Sequence, residues 1–187
     1  MMKRILDLAI VVFASFFLLI PTLLVALLVR LTSKGPALYW SDRVGRNNVI
    51  FKMPKFRSMK IDTPALATHL LSDPDKYLTS VGGFLRKSSL DELPQLWSIF
   101  VGDMSFVGPR PALFNQHDLI SMRTERGVDK LLPGLTGWAQ VNGRDELALI
   151  DKVNLDVNYL INQSFWFDIQ ILWITFVKVL RRDGVTH

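Results

Sequence analysis

Residues Leu8 to Val29 read LAIVVFASFFLLIPTLLVALLV and carry no charge. As a straight helix, a run of this length spans about 33 Å, close to the hydrocarbon thickness of a bilayer. Pro21 interrupts it near the middle. Proline has no N–H and clashes with the preceding turn, which predicts a kink. Lys3 and Arg4 precede the run, and Arg30, Lys34, Arg43 and Arg46 follow it. With bases on both sides, the positive-inside rule selects no translocated end. Two arrangements stay open: a single span, and a re-entrant helix-break-helix whose two ends remain on one side. In the second, carbonyls freed near Phe17 and Leu18 need partners, either the Ser15 or Thr22 hydroxyl or the rest of the protein. A signal peptide fits less well, because the run exceeds a usual h-region and no small-x-small cleavage site follows.

Beyond it the pattern changes. ALYW (37–40) and NVIFKM (48–53), separated by Gly45, Asn47 and Asn48, predict a small β-hairpin. A short helix is expected within 61–80, and two helical pieces within GGFLRKSSLDELPQLWSIFVGD (82–103). There Leu90, Leu93, Leu96, Trp97 and Phe100 recur at three to four residues, which predicts a buried face. A polar helix is expected at about 112–126, a Gly- and Pro-rich loop over LPGLTGWAQVNGR (132–144), and a helix at 146–160. The run from Tyr159 to Arg182, YLINQSFWFDIQILWITFVKVLRR, holds Phe165, Trp166, Phe167, Trp173 and Phe176. Tryptophans favour the headgroup level, and Lys178, Arg181 and Arg182 can reach lipid phosphates. The run reads as an interfacial helix, with a buried core helix as the alternative. No internal repeat or low-complexity tract is visible. The fold class is α+β and mostly helical, with residues 1–33 as the membrane-associated segment and 34–187 as the polar body.

Hydrophobic residues make up 49% of the chain, yet charged residues make up 21%. The second figure rules out a membrane bundle over the remainder. There is no cysteine, so disulfides and thiolate chemistry are excluded. The net charge of +5 suits anionic lipid headgroups, phosphorylated metabolites or nucleic acid. No nucleic-acid module is recognisable. His69, His117 and His187 are widely spaced and form no zinc motif.

The adjacent acids Asp91 and Glu92 are the leading chemical candidates. Ser89 and Glu92 also match a capping box, with Asp91 favoured at the helix start, so capping alone could explain both. A carboxylate held there beside Arg86 and Lys87 is expected to have a lowered pKa. It would be ionised, ready as a nucleophile on phosphorus or as a magnesium ligand. In Gly108-Pro109-Arg110-Pro111, two prolines restrain the backbone around one guanidinium, the arrangement wanted for bidentate phosphate recognition or simply a rigid turn. Lys55 and Arg57 share a strand face and suit a diphosphate or anionic lipid. Glycines 134, 137 and 143 permit close backbone approach to a ligand, and Trp138 is placed to stack or anchor. This spacing matches neither a P-loop nor a dinucleotide fingerprint.

Taken together and in order, KRILDL (3–8), the segment broken at Pro21, SKGPALYWSDRVGR, KFRSMK, GGFLRKSSLDELPQLWSIFVGDMSFVGPRP, PGLTGWAQVNGR and the terminal aromatic helix resemble the bacterial sugar transferases of the monotopic phosphoglycosyl transferase type. The chain also resembles the short capsule and O-antigen members, which lack extra N-terminal membrane helices. The resemblance implies transfer of a sugar phosphate from a UDP-sugar, with an N-acetylated hexosamine expected, to undecaprenyl phosphate, with release of UMP. It implies Asp91 as the nucleophile that forms a covalent phosphosugar intermediate. Glu92 is its companion carboxylate, and Mg2+ is held by Asp91 and Glu92. It further implies Arg110 as a nucleotide or phosphate ligand, with Lys55, Arg57, Arg86 and Arg144 lining the phosphate region. The implied setting is the bacterial inner membrane, with the catalytic body facing the cytoplasm, membrane lipids as partners and a homodimer possible. In one respect the chain departs from the pattern. Many members have Ser-Pro at the membrane break, whereas Ile20 precedes Pro21 here; Asp7 or Thr22 would have to supply the missing polar contact.

Overall fold

The structure, a computed structural model, describes residues 2–64, 73–143 and 147–181. A single long helix, α1 (Met2–Thr32), contains Pro21 in its interior. The break into two helices expected at Pro21 is therefore corrected: α1 is one helix throughout the apolar run, whichever side of a membrane its ends occupy. Pro21 removes one backbone hydrogen bond, but flanking residues keep helical geometry, since an apolar surround offers their N–H and C=O groups no other partners.

Both ends of α1 are bound to the body, while its centre is bare. Val11 joins a core with Met53, Ile99, Met104, Phe106, Val107, Val141, Tyr159 and Ile171. Val25 and Val29 join a second core with Phe56 and Leu85. Between them, Phe13, Phe16, Phe17, Ile20 and Leu24 are each more than half exposed. The N-terminal end is also tied by polar contacts. Lys3 Nζ lies 2.7 Å from Asp168 Oδ2 and 3.1 Å from the Tyr159 hydroxyl, which itself donates to Asp168. Burial, with the Asp168 charge beside it, pushes the Tyr159 hydroxyl well above the ordinary phenol range. Asp7 accepts from Ser105 Oγ and from the Phe106 N–H, so it is committed here rather than to the turn at Pro21. Breaking the tie should be costly: Lys3→Met leaves a buried aspartate without its cation, and about 2–3 kcal/mol of stability should be lost. Thermal unfolding in one detergent checks this, and an unchanged midpoint would contradict it.

The hairpin is longer than its apolar letters suggested. Strand β1 (Leu38–Val44) pairs antiparallel with β2 (Ile50–Phe56), with Tyr39 opposite Lys55 and Arg43 opposite Phe51. Asn47 and Asn48 take left-handed φ values in the turn, a conformation that asparagine tolerates. A 3-10 turn over Pro74–Tyr77 is what the described part of 61–80 contains. Next come α2 (Gly82–Lys87), a 3-10 turn at Leu90–Glu92 and α3 (Gln95–Val101). The buried face of α3 is Gln95, Ser98 and Ile99, whereas Trp97 and Phe100 are about half exposed. The expected buried stripe holds for Leu90, Leu93 and Leu96, which pack against the two cores, and is corrected for Trp97 and Phe100: three-to-four spacing finds an apolar face but not what covers it, and α3 turns its polar-containing side toward α1 and β2. Arg4 donates to the carbonyls of Ile99 and Phe100 and so closes the C-terminal end of α3.

Strand β3 (Ser105–Val107) pairs in parallel with β4 (Gly134–Thr136), inside the segment expected to be loop. Glycines allow this approach: a Cβ on Gly134 would lie 2.1 Å from the Gly108 nitrogen, and one on Gly137 would lie 2.1 Å from its oxygen. At those two glycines the close approach is to the backbone of Gly108. Helix α4 (His117–Glu125) is followed by α5 (Trp138–Val141), α6 (Leu149–Asn162) and α7 (Phe165–Arg181). Trp138 anchors, its ring 5.0 Å from that of Phe167. The aromatic run divides between helices, with Tyr159 buried in α6. In α7, Asp168 and Ile171 are buried, while Trp166, Trp173 and Phe176 are more than half exposed on the opposite side.

Candidate active site

The acids sit where α2 gives way to α3. After Lys87, Ser88 stays helical and Ser89 turns left-handed at φ +55°. Such a conformation is uncommon for serine and costs local strain. It swings the Leu90–Glu92 turn inward, leaving Asp91 6% exposed. Ser89 makes no side-chain cap bond. The Glu92 side chain points instead to Lys55 and Arg110, so the capping box expected as one alternative is not formed.

Glu92 Oε1 accepts from Lys55 Nζ at 2.8 Å and from Arg110 Nη2 at 3.0 Å. Lys55 comes from β2, Glu92 from the turn and Arg110 from the segment after β3, so three separate stretches of chain converge on one oxygen. Burial alone would raise the Glu92 pKa; the Lys55 and Arg110 cations outweigh it and hold the group well below the carboxylate range. Asp91 differs. Burial pushes its pKa up, and the Glu92 charge adds to this against the pull of Lys55, Arg86 and Arg110. The expected lowering therefore holds for Glu92 and is corrected for Asp91. Burial also lowers the pKa of Lys55, with the Glu92 charge opposing it.

Lys55, Arg110 and the acid pair are brought together, and Arg86 acts on the charge of Asp91. Arg57 is not part of the group: its Nε donates to the Pro36 carbonyl at 2.9 Å. Arg144 lies outside the described residues. One partly buried cation is not apparent from the sequence pattern. Arg43, a basic flank of the membrane run in the sequence, donates to the Pro111 carbonyl and to Ser41 Oγ. Burial and the nearby Arg110 charge lower its pKa to about 10. The available signal was its place on β1: Tyr39, Ser41 and Arg43 alternate on one face, the face whose cross-strand partners include Lys55.

Among the described residues no three histidines, cysteines or acids gather as a metal cluster. Nor, among them, does any side chain donate a hydrogen bond to Asp91. Two adjacent carboxylates, one of them without such a donor, are the kind of partial set that Mg2+ takes together with phosphate oxygens.

The chain matches the bacterial sugar transferase family over residues 1–182. It is 41% identical over 171 residues to the undecaprenyl-phosphate galactose phosphotransferase of Salmonella typhimurium, covering 80% of this chain and 34% of that protein. It is 39% identical over 161 residues to the UDP-glucose:undecaprenyl-phosphate glucose-1-phosphate transferase of Escherichia coli, covering 82% and 35%. Against the uncharacterized sugar transferase EpsL of Bacillus subtilis it is 39% identical over 190 residues, covering 98% and 90%. The chain thus spans about a third of the length of the first two relatives and nearly all of the third. With the match running from α1 through α7, the chain belongs to the bacterial sugar transferase family.

Proposed function

We propose that this protein transfers a sugar-1-phosphate from a UDP-sugar to undecaprenyl phosphate at a membrane surface, in two displacements through Asp91. The observation that carries this reading is the contrast between neighbouring carboxylates. Glu92 is locked between two cations, whereas Asp91 is buried, raised in pKa and free of side-chain donors among the described residues. Opposed environments of this sort separate the roles of paired acids. An Asp91 oxygen attacks the phosphorus that bears the sugar, the bond to the bridging oxygen breaks, and UMP leaves with that electron pair. An undecaprenyl phosphate oxygen then attacks the same phosphorus, and the bond to Asp91 breaks, restoring the carboxylate. Arg110 and Lys55 offer their charge to the diphosphate. Glu92 keeps both cations in place until a phosphate takes them. Asp91 and Glu92 would hold Mg2+, which when bound supplies neutralising charge to the diphosphate.

The relatives whose names state a sugar name galactose or glucose. UMP release should therefore be followed across UDP-galactose, UDP-glucose and UDP-N-acetylhexosamines, the last being the donors the resemblance favours. Release that requires undecaprenyl phosphate for continued turnover supports the reading; none with any donor contradicts it.

We further propose that α1 is re-entrant, with the body on the cytoplasmic side of the bacterial inner membrane. The support is that residues 3–11 and 25–32 of one helix both dock on the same body while the apolar centre is bare. The chain has no cysteine, so single thiols report cleanly. Met2→Cys and Lys34→Cys should both resist a membrane-impermeant maleimide in intact spheroplasts and both react in inverted vesicles. Labelling of either from outside would refute the topology.

A further inference from the structure

We infer that Arg123, braced by Asp156, is a positioning residue that aims Arg110. This rests on Arg110 being a phosphate ligand.

Pro109 and Pro111 have no N–H, so the segment that carries Arg110 can be anchored at those residues only through its carbonyls. All four carbonyls of Pro109–Ala112 are held, each by a donor from elsewhere. The Gly134 N–H bonds the Pro109 oxygen at 2.9 Å, and the Val44 N–H bonds that of Ala112 at 2.9 Å. Arg43 Nη1 reaches Pro111 at 3.1 Å, and Arg123 Nη1 reaches the carbonyl of Arg110 itself at 2.8 Å.

Arg123 is in turn fixed. Its Nε and Nη2 meet Asp156 Oδ2 at 3.0 and 2.6 Å, with Arg123 8% and Asp156 1% exposed. One planar guanidinium thus spans α6 and the Arg110 main chain, a double engagement that a lysine ammonium reproduces only in part. The Arg110 side chain stays 44% exposed and reaches Glu92. A carbonyl held behind a half-exposed guanidinium is what directs that side chain toward the acid pair and whatever phosphate replaces Glu92.

A double-mutant cycle on the full chain, in one detergent, tests this. In Arg123→Gln, kcat/KM for the UDP-sugar should fall about ten-fold, with partial recovery in Arg123→Lys. Arg110→Ala/Arg123→Gln should be no worse than Arg110→Ala alone. If Arg123→Gln fails to fold, with Asp156 stranded, Arg123→Gln/Asp156→Asn removes both charges and the same comparison is made. Losses that multiply in the double variant, or a folded Arg123→Gln with unchanged kcat/KM, would overturn the inference. An Arg110→Ala variant of wild-type kcat/KM would instead overturn the reading of Arg110, and the positioning role with it.

Discussion

Replacing Asp91 with asparagine should abolish turnover and, at neutral pH, make the protein more stable. Both effects follow from its burial. The carboxyl is nearly inaccessible and its pKa is raised, with burial the largest cause. A group whose folded pKa exceeds its unfolded value supports folding below the unfolded pKa. That contribution is lost as pH rises through the folded pKa. At neutral pH the wild type therefore carries a buried charge at a cost, which a neutral amide of the same shape removes. For a chain of this size, each kcal/mol recovered is worth about 2–4 °C in Tm. Activity should drop by about 10^3-fold or more, because no other described carboxylate at the site is free to form the bond to phosphorus. In the wild type, kcat/KM should fall on acidification at a pH above the ordinary aspartate range. UMP release and thermal unfolding measured on one preparation check both halves. An Asp91→Asn variant that loses stability, or that turns over within ten-fold of wild type, would count against the assignment.

Glu92→Gln should do the reverse to stability. It leaves Lys55, only 16% exposed along its side chain, without its ion-pair partner and with only the negative charge of Asp91 nearby, and it removes the acceptor shared with Arg110. Breaking a largely buried pair from one side costs roughly 3 kcal/mol, or about 6–12 °C here. Lys55→Met/Glu92→Gln, which strands neither charge, should regain much of that loss. The sign with pH is fixed by the lowered pKa of Glu92. Its stabilisation is present above the unfolded pKa and is lost as pH falls through the folded one, so acid should weaken the wild type more steeply than Glu92→Gln. A flat comparison of the two, or a Glu92→Gln protein as stable as wild type, would show that the cations are held by something else.

Much of the site was legible because its chemistry is concentrated in short stretches. Asp91-Glu92 and Pro109-Arg110-Pro111 announce themselves by residue type, whereas the ion pair of Lys55 with Glu92 depends on how β2 packs against the Leu90–Glu92 turn. The capping box was not separable from catalysis, because Ser89 and Glu92 have the right spacing whichever way Ser89 turns. Only its left-handed φ decides the matter. Arg123 was not distinguishable from a surface base, since the carbonyl it holds lies 13 residues away, and Arg43 had only its strand alternation to mark it. Helix α3 shows the same limit on the apolar side. Its spacing marked an apolar stripe, but whether protein or lipid covers Trp97 and Phe100 depends on where α1 docks. The β3–β4 pair was invisible because three-residue strands have no period to read, and the glycines that permit it look like ligand-loop glycines.

Intact-protein mass spectrometry after mixing enzyme with its UDP-sugar, without undecaprenyl phosphate, tests the covalent role of Asp91 most directly. One sugar-phosphate mass should be gained on the peptide that contains Asp91, with about one UMP released per enzyme, and the adduct should vanish when undecaprenyl phosphate is added. Full turnover with both substrates but no adduct and no UMP without the acceptor, or an adduct that survives in Asp91→Asn, would contradict it.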